Sequence, residues 1–182
     1  MSELIFRLKK IVALTAIVSL WSLVLTPFVL AADTGDVTAT VTVKNIAITV
    51  SDGSIAYGSV AAGGTKSTLS GEANDMQTVT NSGNVEEDFN IKGFNVSSGC
   101  SWTLAATQGS EQYFHKFCND TDQDCSTPPT SYTALTTNYQ SLDTNIVTSD
   151  SVDFQLQIGV PSSTACTSEA TVTVTVQAVD ST

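Results

Sequence analysis

The chain has 182 residues, 41% of them hydrophobic, and a formal net charge of −11. Seven Lys and Arg stand against 18 Asp and Glu, which excludes the clustered cationic surface that binding to phosphate backbones requires. The length suits one domain with a substantial core, and a composition rich in Thr, Ser, Asn, Gly and Val suits strands with hydroxyl-bearing outer faces.

Residues 1–32 have the layout of a secretory signal. Arg7, Lys9 and Lys10 form a basic start, residues 11–30 are apolar and uncharged, and Val29 and Ala31 occupy the −3 and −1 positions of a cut before Ala32. The expectation is an N-terminal signal helix that is removed. An uncleaved anchor is the alternative, because such a run can cross a bilayer, and it would be the chain's one contact with a membrane. Beyond the leader the cations reduce to Lys44, Lys66, Lys92 and Lys116.

Residues 33–182 read as a single domain of short strands. Val37, Ala39, Val41 and Val43 alternate with polar neighbours, and Ile46, Ile48 and Val50 resume in the opposite phase, which predicts a bulge or a strand that changes sheets. Ser51-Asp52-Gly53 is a turn. Ile55, Tyr57 and Val60 predict a short strand, residues 67–75 are polar and ambiguous, and residues 76–80 predict another strand before the turn Asn81-Ser82-Gly83-Asn84. In the next strand Val85, Phe89 and Ile91 share a phase, opposite Glu86 and Asp88, until Gly93 breaks it. Cys100, Trp102, Leu104 and Ala106 alternate with Ser101, Thr103 and Ala105, which predicts a central strand carrying a bulky anchor beside a potential covalent link. Tyr113-Phe114-His115-Lys116-Phe117-Cys118 is aromatic on both faces, residues 119–131 form a long polar connection, and residues 132–141 are weak strand or loop. Val152, Phe154, Leu156, Ile158 and Val160 alternate cleanly up to Pro161; Val172, Val174, Val176 and Ala178 supply a closing strand. Without helical periodicity after the leader, the pattern predicts an all-β, two-sheet immunoglobulin-like sandwich.

Four cysteines allow three pairings. Cys118 and Cys125 bracket a short polar loop, which leaves Cys100 with Cys166, so 100–166 with 118–125 is preferred. Export places them in an oxidising compartment. No Cys-x-x-Cys occurs and His115 is the sole histidine, so the spacing argues against zinc.

Few residues suggest chemistry. A hydrolytic triad would have to use His115, whose place within an aromatic strand reads better as structural. Glu86-Glu87-Asp88 offers carboxylates without a facing partner set. Asp120, Asp122 and Asp124 are the sharpest local signal, because Asp-x-Asp-x-Asp in a loop presents oxygens to calcium; an EF-hand would require Gly and Glu where Cys125 and Ser131 stand. Trp102, Tyr132 and Tyr139 could form a sugar platform, although Trp102 has the phase of a core residue. Asn95-Val96-Ser97 and Asn119-Asp120-Thr121 match the glycosylation acceptor pattern.

The run Ile55-Ala56-Tyr57-Gly58-Ser59-Val60-Ala61-Ala62-Gly63, followed by Thr80-Asn81-Ser82-Gly83-Asn84, resembles a layout of secreted bacterial and archaeal immunoglobulin-like sandwich modules. Trp102-Thr103-Leu104 is similar to the first motif of WxL cell-wall-binding domains, while the place of their second Trp-x-Leu reads Val172-Thr173-Val174-Thr175-Val176. These resemblances imply a β-rich surface domain, and the WxL likeness implies attachment to peptidoglycan. The functional expectation is a non-enzymatic, secreted or cell-surface structural protein, a subunit of an extracellular filament or surface layer that associates with itself or with envelope components. Residues 32–43 would serve as a strand for a neighbouring sheet edge. The alternative is a cell-wall or polysaccharide-binding module.

Overall fold

A computed structural model describes residues 34–96, 98–128 and 130–181. The leader expected over residues 1–32 lies outside them. The chain divides into two units between Val41 and Thr42. In the first, residues 34–41 carry no regular secondary structure and Val37 and Val41 are exposed.

From Thr42 onward the chain is an all-β, two-sheet sandwich of ten strands. These are β1 (Ile48–Val50), β2 (Thr65–Ser67), β3 (Gln77–Asn81), β4 (Glu87–Gly93), β5 (Thr103–Leu104), β6 (Gln112–Asn119), β7 (Thr133–Ala134), β8 (Gln140–Ile146), β9 (Ser151–Gly159) and β10 (Val174–Asp180). The larger sheet runs β1-β3-β9-β6-β5, with β2 on β9 and β7 on β6; the smaller runs β10-β4-β8. Every pair is antiparallel except β5 on β6.

The period of two explains the layering. Val79, Phe117, Val152, Phe154 and Leu156 from the larger sheet meet Phe89, Ile91, Leu142 and Ile146 from the smaller in one buried cluster. A second cluster gathers Val96, Cys100, Trp102, Tyr113 and Ile158. Aromatic side chains supply much of both, each removing a large apolar area from water. Disulfides join Cys100 to Cys166 and Cys118 to Cys125.

Several strand expectations are revised. Residues 55–60 form no strand, because Gly58 adopts a positive φ of 66° and interrupts extension; the chain pairs instead at β2, Thr65–Ser67, which shares only Ser67 with the stretch that reads as polar and ambiguous. The Trp102 strand is reduced to Thr103–Leu104 at the sheet margin, so β9, not this segment, is the central strand. Trp102 itself is buried, and its Nε1 donates to Thr164 Oγ1 at 3.0 Å. Residues 37–43, despite their alternation, form no strand in the described structure. β8 arises from a weakly patterned sequence whose pairing with β4 shifts register twice.

Candidate functional site

His115 lies on β6 opposite Ile158 of β9, on the core side, and is 2% exposed. Its Nε2 shares a 2.9 Å hydrogen bond with the Tyr57 hydroxyl, and the two rings meet edge to face. Nδ1 is buried without a partner. Burial lowers its pKa from 6.5 to about 4, so the ring is neutral at pH 7. Burial, helped by Tyr132 and Asp75, drives the Tyr57 phenol well above its ordinary value. A neutral imidazole hydrogen-bonded to a protonated phenol ties the coil over residues 54–60 to the sheet.

The acidic loop is dispersed. Asp120 Oδ2 accepts from Gln155 Nε2 at 2.9 Å, Asp122 Oδ2 from Asn119 Nδ2 at 3.3 Å, and Asp124 Oδ1 from the Ser126 N–H at 2.9 Å. Hydrogen bonds from Ser126, side chain first and backbone second, lower the pKa of Asp124. Among the described residues no three His, Cys, Asp or Glu side chains are grouped to hold a metal ion.

Tyr132 is not a free loop ring. It is 8% exposed, packs on the Cys118–Cys125 disulfide, and donates its hydroxyl to Cys125 O at 3.2 Å. Burial raises its pKa to about 12, with Asp120 and Glu72 adding to the effect. Tyr139 is exposed, and Lys92 Nζ sits 4.4 Å from its ring centroid. The sugar platform is therefore not assembled: Trp102 and Tyr132 are core residues. Of the two acceptor asparagines, Asn95 is exposed, whereas Asn119 is buried with Nδ2 near Asp122, Asp143 and Leu142 O.

The polar side chains that do converge grip the backbone of residues 43–47. Asn84 Oδ1 accepts from the Asn45 N–H at 2.7 Å and its Nδ2 donates to Val43 O at 2.9 Å. The Ser82 N–H donates to Ala47 O at 2.8 Å, and Lys44 Nζ pairs with Asp180 at 2.6 Å. Beneath them lies Glu87, fully buried, whose Oε1 accepts from the Ala47 N–H at 2.8 Å while Oε2 has no partner. A Cβ on Gly83 would overlap Asn45 O and Glu87 Oε1, so only glycine lets the strap lie this close. Glu87 shares the phase of Phe89 and Ile91. That phase was the signal for its burial, and its charge argued the other way.

The sheet margins are the remaining surface. β5 and β7 have two residues each, β1 has three, and β8 carries a register shift and a positive φ at Asn145. Among the described residues β10 is different: its seven residues pair in unbroken register with a strand on one side only.

No protein-family model, curated protein or solved structure matches this chain. What stands is a class: an all-β sandwich carrying two disulfides, the covalent chemistry of an oxidising compartment.

Proposed function

We propose that this chain is a non-enzymatic structural protein, secreted or held at the cell surface, that associates with itself as a subunit of an extracellular filament or layer. The observation that carries the reading is residues 37–43. Val37, Val41 and Val43 are 93%, 89% and 76% exposed, and with Ala39 they line one face of a potential strand that alternates with threonine. Single exposed apolar residues are ordinary; four in strand phase form a face that needs a sheet to cover it. The segment has a fixed root, because Asn84, Glu87 and Asp180 bind residues 43–47. The site chemistry points the same way: the one histidine is sealed in the core, and the carboxylates of the acidic loop accept hydrogen bonds from neighbouring groups.

The test is electron microscopy of the secreted mature protein, with mass spectrometry of the same sample for its N-terminus. Filaments or sheets are expected. A protein that sediments strictly as a monomer at high concentration, with and without calcium, overturns the proposal.

A further inference from the structure

Resting on that self-associating reading, we infer that the acceptor is the outer edge of β10, which no described strand pairs, and that its occupant is the segment 37–43 of a second copy of this chain.

The argument begins with what edges do. Natural sheets guard them with short strands, bulges, proline or inward charge, because an open ladder recruits another strand. The other margins of this sandwich are short or bulged, as described above. β10, Val174-Thr175-Val176-Gln177-Ala178-Val179-Asp180, has no proline, no lysine and no bulge, and its one charge, Asp180, stands at the end of the strand and pairs with Lys44. The Ser181 N–H donates to Glu86 O at 3.3 Å. Antiparallel bonds alternate from that point, so Thr175, Gln177 and Val179 turn their N–H and C=O groups to β4. Val174, Val176 and Ala178 turn theirs away from β4, to the side on which no described strand pairs.

Burial marks the same edge. Phe89 and Ile91 on β4 are fully buried, whereas Val174, Val176 and Ala178, which face the same core, are only partly covered. Ile48 on β1, the corresponding margin of the larger sheet, is also partly covered. The sandwich is one strand short here, and the missing strand must be small and apolar on its inner face.

Residues 37–43 have that composition. Val37, Ala39, Val41 and Val43 would face Val174, Val176 and Ala178, while Thr38, Thr40 and Thr42 would lie outward beside Thr175 and Gln177. Seven extended residues span about 23 Å, the same reach as the seven of β10. The segment has no charged residue, so nothing in it resists burial on this edge. Each copy carries one donor and one acceptor; joined head to tail, such contacts make an open chain.

Two variants of the full mature chain separate donor from acceptor. Val41→Pro removes an N–H and fixes φ in the donor segment, leaving the acceptor edge intact. Ala178→Pro removes an N–H that faces the open side, where proline is tolerated, and obstructs an incoming strand without touching the β4 ladder. Circular dichroism checks that each is folded; should Ala178→Pro fail, Val176→Lys replaces it, placing a charge on the half-covered inner face. By analytical ultracentrifugation the unaltered chain should form large assemblies and each variant alone should be monomeric. Mixed one to one, they should form a dimer and nothing longer, since one functional donor meets one functional acceptor. Undiminished assembly by either variant, or two monomeric variants that do not dimerise on mixing, overturns this inference while the unaltered chain's assembly keeps the proposed function. A monomeric unaltered chain overturns both.

Discussion

The buried His115 makes the stability of the domain depend on pH in a window where few other groups titrate. In the folded state its pKa is about 4 against an ordinary 6.5, because burial penalises the imidazolium. The unfolded chain therefore binds a proton below about pH 6.5 that the folded chain refuses until about pH 4. Stability from this group is fully present above the unfolded value and is lost as pH falls toward the folded one. Each tenfold difference in proton affinity corresponds to about 1.4 kcal/mol, so the whole effect approaches about 3 kcal/mol. Carboxylates enter below about pH 5, which leaves pH 7.5 to 5 as the clean interval, with an expected loss of about 2 kcal/mol. The titratable group in contact with the ring is the Tyr57 hydroxyl on Nε2, and Lys66 stands on β2 in register with Ile158, the β9 residue opposite His115.

The comparison is with His115→Gln, which keeps a hydrogen-bonding group for Tyr57 and cannot titrate. Guanidinium unfolding at half-unit pH steps, followed by the fluorescence of Trp102, gives both curves; Trp102 is buried and is the only tryptophan after residue 32. The unaltered protein should lose about 2 kcal/mol more than the variant between pH 7.5 and 5. Parallel curves would refute the reasoning, since the proton would then bind both states of His115 alike.

Three further outcomes are expected. Asn81 is fully buried, with Nδ2 donating to Val85 O and Ile146 O at 2.8 Å and Oδ1 accepting from the Gly83 N–H at 2.9 Å; Asn81→Ala should cost about 2–4 kcal/mol in the same unfolding assay, and a loss under about 1 would refute its anchoring role. Removing Cys100–Cys166, which spans 66 residues, should cost about 4 kcal/mol, against about 2.5 for Cys118–Cys125, which spans seven; the reverse order in paired Cys→Ala variants would contradict chain entropy as the cause. Gly83→Ala should lift the strap over residues 43–47, seen as faster hydrogen exchange at the Asn45 and Ala47 amides with the β9 amides unchanged. Unchanged exchange at Asn45 and Ala47 would show that the close approach is not required.

Strands with strict apolar alternation were the most legible part of the sequence. Residues 152–160 alternate without interruption and become β9, the strand that touches β2, β3 and β6. β8 was hard to read because Gln140-Ser141-Leu142-Asp143-Thr144-Asn145-Ile146 buries only Leu142 and Ile146 and bulges against β4, so no alternation survives. Residues 54–60 misled in the other direction: Ile55 and Tyr57 are core-facing residues on a coil, and their spacing matched a strand by coincidence of two positions. At the candidate site the sequence named Glu87 only within the run Glu86-Glu87-Asp88, as a carboxylate without a facing partner set, and its burial went unread. A charge rule and a phase rule disagreed there, and phase won because the Ala47 N–H supplies a partner for one oxygen.

The same conflict appears between two segments of nearly identical pattern. Residues 38–43 read Thr-Ala-Thr-Val-Thr-Val and residues 171–176 read Thr-Val-Thr-Val-Thr-Val. The second half of the latter, Val174–Val176, becomes the start of β10 because β4 offers a ladder whose inner face, Phe89 and Ile91, is large and apolar. The first has equal intrinsic preference and pairs with no strand of its own chain in the described structure. Strand formation belongs to a pair of segments, since an isolated extended chain gains neither ladder bonds nor burial to offset its lost entropy. A segment with the pattern of a strand and no partner therefore identifies a need, and an edge strand whose inner side chains are half covered identifies a vacancy. On the inference that a second copy supplies the strand, the two stretches correspond in length and in residue size.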